Sequence, residues 1–190
     1  MGPHLRRRPA AAARRRRRAH PRALRRGVRA ADRGVVLSAR AISVTVELPV
    51  SAEAAFRYLC DPRNRPEWQS SLRSVEVPAD EEPHVGQTWC DNTSVGVRPH
   101  METTELVPFR VWTERGRWRG FSATLTLHFT DVTGGCRVRA DAVVEGRGAW
   151  AVPALVAGLL ASPAIAADLR KAGRILAGRE GGAGGRRDGG

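Results

Sequence analysis

The sequence predicts an α+β fold, a curved antiparallel sheet wrapped around one long C-terminal helix. Three observations carry this. FSATLTLHFT (121–130) alternates strictly: Phe121, Ala123, Leu125, Leu127 and Phe129 share one face, and Ser122, Thr124, Thr126, His128 and Thr130 share the other. That period belongs to a strand with one wet side. Gly134-Gly135 makes a hairpin turn into a second alternating run, CRVRADAVVEG (136–146), with Val138, Ala140, Ala142 and Val144 on one face. Residues 149–178 then read as a helical region. A curved sheet cannot close fully on a single helix, so a cavity is expected between them.

The remaining elements follow in chain order. ISVTVELPV (42–50) alternates and is β-branched, so it reads as a strand ended by Pro49. Ser51 is a good N-cap for AEAAFRYLC, with Glu53 favouring the helix N-terminus and Ala55, Phe56 and Leu59 on one face. Pro62 and Pro66 stop or re-aim the chain. Strands follow at 71–77, 86–95 and 98–107, and Pro108-Phe109 turns into a further strand at 110–118. In the last helix Pro153 suits the first turn, Pro163 is expected to kink or split it, and Leu169, Ala172 and Leu176 lie on one side.

Residues 149–167 carry no charge over 19 positions, close to the ~20 that a membrane span needs. Two prolines, a glycine and many alanines make the run only modestly hydrophobic. A helix buried along one side of a sheet is the better reading.

The net charge of +13 is local. Residues 1–40 hold 14 Arg and one Asp, while the rest of the chain has 18 basic and 18 acidic residues. Residues 1–40 are expected to be a disordered, self-repelling arm, residues 41–178 the folded domain, and residues 179–190 a flexible Gly-rich tail. Three readings fit the arm: a tail preceding a native start near Val28 or Val35, a contact for nucleic acid or anionic membrane, or an Arg-rich transit peptide. A secretory signal does not fit, because GVVLSA is shorter than the ~7–15 residues of an apolar signal core.

Cys60, Cys90 and Cys136 are odd in number and far apart, which suggests neither a disulfide framework nor a zinc site and fits a reducing cytoplasm. No nucleophile motif, H-E-x-x-H, phosphate loop or dinucleotide fingerprint is present, so no metal or cofactor is expected and no catalytic residue is assigned. His128 falls on the polar face of its strand. His100 and Glu102 are two residues apart; facing inward they would form an acid/base pair, facing outward an exposed rim.

VELPVSAEAAFRYLCDPRNRPEWQSSLRSVEV resembles the opening of the SRPBCC, or START-like, superfamily, which includes polyketide cyclase/dehydrase and lipid-transport proteins and the birch-pollen-allergen fold. The resemblance lies in Pro49, Ser51, Glu53, Phe56, Asp61-Pro62 and Pro66-Glu67-Trp68, with Val85-Gly86 entering a strand, ETTELVPFR (102–110) and the long last helix as further echoes. It covers residues 42–177 and implies a helix-grip fold of about six to seven strands, with two short helices after the first strand forming a V that rims the cavity. Trp68 would pack at that corner with its indole N–H toward a polar partner, or line a ligand entrance.

On this fold Trp112, Phe121, Leu125, Val138 and Ala142 are candidate cavity walls, and Leu155 and Leu159 would close the cavity from the helix. Asp91, two residues from Trp89, would share its face; with Trp89 inside, a carboxylate would sit in apolar surroundings that raise its pKa. The family implies two functions: binding a small hydrophobic ligand such as a lipid, isoprenoid or aromatic polyketide, or cyclase/dehydrase chemistry in the same cavity. Few ionisable residues are seen to converge inside, which favours binding. Nucleic-acid or partner binding would rest on the arm alone.

Overall fold

The computed structural model describes residues 38–184; for residues 38–40, 151, 152, 154–156, 158–160 and 182–184 it describes the backbone only. The order is β1 (Ser38–Leu48), α1 (Ala52–Leu59), a 3₁₀ turn (Pro62–Asn64), α2 (Arg65–Trp68), β2 (Leu72–Glu76), β3 (Thr88–Thr93), β4 (His100–Val107), β5 (Val111–Trp118), β6 (Phe121–Val132), β7 (Gly135–Gly146) and α3 (Ala151–Gly184). The strands form one seven-stranded sheet in the order β1-β7-β6-β5-β4-β3-β2. Every neighbouring pair is antiparallel. This is the α+β helix-grip architecture that the sequence predicts.

The two ends of the domain differ from expectation, and one expected break is absent. β1 takes in Ser38–Arg40, which pair with Gly146, Glu145 and Val144, so the strand begins inside the segment assigned to the arm. α3 runs on to Gly184, into the segment read as a flexible tail. Pro163 does not split α3. It lies on the exposed side of the helix, where a carbonyl lacking its backbone donor can turn to water. Residues 1–37 and 185–190, with the arm's expected disorder, lie outside the described residues.

Period-2 patterning places the core. Leu127, Phe129, Val138 and Ala140 on the concave face are buried against α1 and α3. α1 contributes Ala55, Phe56 and Leu59, and α3 contributes Leu169, Ala172 and Leu176, each from one helical face. Phe56 packs edge-on against Phe129 at 5.3 Å and Phe109 at 5.6 Å. α3 comes so close to β1 that a Cβ on Gly173 would lie 2.8 Å from a Leu48 methyl.

Side-chain bonds fix the helices to the sheet. The α1 N-terminus is capped by Ser51 Oγ, which accepts from Ala54 N at 3.1 Å, and by Asp131 at the end of β6, which accepts from Ala52 N at 2.8 Å. Asp168 of α3 accepts from the backbone N–H of Ser70 (3.1 Å) and from its hydroxyl (2.7 Å), tying α3 to the segment after α2. Among the described residues no helix is long and apolar enough to cross a membrane.

Candidate functional site

A pocket of about 260 Å³ opens between the sheet and α3. Its apolar wall comes from Phe121, Ala123 and Leu125 of β6, Ala142 and Val144 of β7, Met101 of β4, and Ala161 and Ile165 of α3. Gly116 of β5 keeps one wall thin; a Cβ there would come within 2.7 Å of the Met101 sulfur.

Three charged side chains meet on the same wall. Arg65 comes from the first position of α2, Asp91 from β3 and Glu114 from β5, and each is at least nine-tenths buried. Strand alternation turns Asp91 inward with Trp89, and Glu114 inward with Trp112 and Gly116. Arg65 is carried in by the corner that the 3₁₀ turn and Pro66 impose. Its Nη2 donates to Asp91 Oδ2 at 3.0 Å, and its Nη1 donates to Glu114 Oε2. Asp91 Oδ1 accepts the indole N–H of Trp89 at 2.9 Å, and the guanidinium lies 5.5 Å from the centre of that indole.

The electrostatics of this triad are unusual. Burial, then the neighbouring charge of Asp91, pushes the Glu114 carboxyl up to about 7, although Arg65 pulls the other way. Burial works against the charge on Arg65, but its two carboxylates outweigh it, and the guanidinium holds its proton more tightly than usual. The triad therefore carries one positive and two potential negative charges, and one of the negatives titrates near neutrality. Arg65 Nε and the side-chain oxygen of Gln69, both buried beside the pocket, find no partner among the described residues.

The structure brings Asp91, Phe121, Leu125 and Ala142 together on the pocket wall. Trp89 stands behind, bonded to Asp91. Trp112 and Val138, expected on the wall, are fully buried in the core and do not line this pocket. They share the face of the pocket residues but lie under the part of the sheet that α1 and α3 cover. Trp68 is also a buried core residue, and its indole N–H has no partner among the described residues, contrary to expectation. The side chains of Leu155 and Leu159 lie outside those described.

His100 and Glu102 are not an internal pair. His100 is exposed, Glu102 reaches Arg115 at 3.6 Å, and Met101 and Thr103 take the inward positions. A bulge between Thr103 and Glu105 explains why the alternation of this strand is poor in the sequence. His128 sits on the polar face, 3.3 Å from Asp141. The lone carboxylate expected at Asp91 is instead paired with Arg65, and the raised pKa belongs to Glu114.

Sequence reading missed Arg65 and Glu114. A signal existed for Glu114: an inward Trp112 turns Glu114 inward two residues later. Among the described residues no group of three His, Cys, Asp or Glu is arranged to hold a metal.

Residues 39–179 match the sequence profile of the family described as polyketide cyclase/dehydrase and lipid transport. No curated protein matches the chain significantly. Several solved structures are similar in fold. Protein MLL2253 from Mesorhizobium loti is 18% identical with a TM-score of 0.57, over 74% of this chain and 98% of that one. The di-domain ARO/CYC StfQ from the steffimycin biosynthetic pathway is 13% identical with a TM-score of 0.63; the match spans 76% of this chain and 53% of StfQ, about half its length. Norcoclaurine synthase from Thalictrum flavum is 12% identical with a TM-score of 0.56, over 73% of this chain and 86% of that one.

Proposed function

Because the chain belongs to the polyketide cyclase/dehydrase and lipid transport family, we propose that it binds a small, mainly apolar molecule, such as a lipid, isoprenoid or aromatic polyketide, in the pocket between the sheet and α3. The observation that carries this reading is a largely apolar wall that includes the buried Arg65–Asp91–Glu114 triad. The apolar surface supplies affinity and a few fixed polar groups supply orientation. An occupant of about 20 non-hydrogen atoms at about 0.3 kcal/mol each gains about 6 kcal/mol, a Kd of tens of micromolar.

Binding is expected to raise the melting temperature, since only the folded state offers the site, and to change fluorescence saturably through Trp89, which is bonded to the triad. Leu125→Ala enlarges the pocket and should alter preference across a panel of such ligands several-fold. Thr126→Ala on the opposite face should not. A panel that leaves both fluorescence and melting unchanged would refute the binding reading.

Glu114 favours a second reading, an enzyme of the cyclase/dehydrase type. A carboxyl poised near neutrality beside a guanidinium suits proton transfer to and from a bound carbonyl compound. Under that reading Glu114→Gln abolishes turnover while binding persists.

Contact with nucleic acid or anionic membrane, if the protein makes it, belongs to residues 1–40, where the whole net charge lies. Removing residues 1–37, which hold all but one of that segment's arginines and leave β1 whole, should abolish salt-sensitive binding to DNA, RNA or anionic vesicles with little change in melting temperature. Equal binding by the shortened chain would assign it to the domain. A reducing cytoplasm suits the free thiols of Cys60, Cys90 and Cys136.

A further inference from the structure

We infer that the pocket sorts its ligands by charge, taking an apolar molecule that carries a hydrogen-bond donor, a protonated amine above all, and excluding one that carries a carboxylate. This rests on the ligand-binding reading of the same pocket.

The geometry of the triad carries the inference. Among the described residues Arg65 is the single cationic residue on the pocket wall. Its two terminal nitrogens are already engaged by Asp91 and Glu114, and its unpartnered Nε is buried away from the open cavity. A ligand carboxylate would therefore lose its hydration without gaining a free guanidinium fork, and would meet two carboxylates behind a single positive charge. A donor finds the opposite situation. Glu114 bonds Arg65 through Oε2, and its Oε1 accepts no hydrogen bond from any described residue. An ammonium or hydroxyl placed there supplies the missing donor, and an ammonium also balances the excess negative charge.

The sign of the pH dependence follows. The charged or titratable groups facing Glu114 are Arg65 from α2, Asp91 from β3 and the thiol of Cys60 at the end of α1, whose own titration responds to Glu114. β4, β6 and α3 present Met101, Leu125, Ala161 and Ile165. Glu114 is held up to about 7, so the wall is neutral when it is protonated and net negative when it is not. Amine binding should tighten as pH rises through neutrality, carboxylate binding should weaken, and binding of a neutral alcohol should barely move.

The test uses three probes with one ring system, naphthylmethylamine, naphthylmethanol and naphthoate, titrated calorimetrically into the full chain at about pH 6 and about pH 8. At the higher pH the amine should bind at least about tenfold tighter than the carboxylate, with the alcohol between them, and the gap should narrow at the lower pH. Glu114→Gln keeps the shape of the side chain, and its melting temperature reports folding. In this variant the pH dependence should disappear and the amine should lose most of its advantage. Naphthoate binding as tightly as the amine while the alcohol binds would overturn the charge inference and leave the pocket reading standing. An amine preference unchanged in Glu114→Gln would overturn the role given to Glu114. Binding of none of the three would overturn both readings.

Discussion

Arg65→Met is expected to cost the domain about 3–5 kcal/mol, the range for removing one member of a buried ion pair. Arg65 is only 1% exposed, and it is the counter-charge to two carboxylates that are also buried. Methionine fills much of the same volume, so the loss reports charge more than cavity. Against a total stability of about 5–15 kcal/mol, this brings the protein close to unfolding.

The loss should depend on pH. In the native protein the Glu114 carboxyl is raised from 4.5 to about 7. The folded state therefore binds that proton more tightly than the unfolded state. The contribution of Glu114 is most favourable below its ordinary value and declines as pH rises through about 7. Removing Arg65 removes the one influence that lowers this pKa, so the decline extends to higher pH and its total grows. Urea unfolding of both proteins across pH 5–9 should show a difference that grows with pH. A pH-independent loss below about 1 kcal/mol would mean that the triad is solvated and the assignment of its energetics is wrong.

Trp112→Ala is expected to cost about 3–5 kcal/mol by a different route, the loss of packing. Trp112 is fully buried, and its indole N–H donates to Thr103 Oγ1 at 3.3 Å, so alanine leaves both a void and a buried hydroxyl short of a partner. Trp118→Ala is the control. Trp118 is half-buried, stacked edge-on with Trp150 at 5.0 Å, and should cost clearly less. If the Trp112 variant does not fold, Trp112→Phe keeps most of the volume and should show a smaller loss in the same direction. Equal losses at Trp112 and Trp118 would contradict the placement of the core.

These variants mark what could be read from the sequence. The inward faces of β6 and β7 follow directly from alternation, and those of α1 and the later part of α3 from helical spacing. Alternation specifies a face, but not how far along a strand the covering helix reaches. Val138 and Ala142 lie on the same side of β7, yet one is in the core and the other lines the pocket. Period 2 also assumes a regular strand, and the bulge after Thr103 defeats it in β4. Arg65 was illegible for another reason. It sits in a four-residue helix between prolines, too short to have a hydrophobic phase, and a single arginine in sequence reads as surface. The buried triad exists only because β3, β5 and α2 meet, and no local pattern encodes that meeting.

The order of strands in the sheet bears on how the chain folds as it is made. β1 has β7 as its strand partner, with Ser38 opposite Gly146 and Leu48 opposite Cys136, a separation of roughly a hundred residues. At about 5–20 residues per second, β1 waits roughly 5–20 s on the ribosome for that partner, with Ile42, Val46 and Leu48 still uncovered. The β4–β5 and β5–β6 hairpins form from local contacts meanwhile, and β7 can add to β6 as soon as it emerges. Closing the β1–β7 seam is then the step that carries the greatest loop-closure entropy, and β1 is the segment most exposed to aggregation or chaperone capture during synthesis.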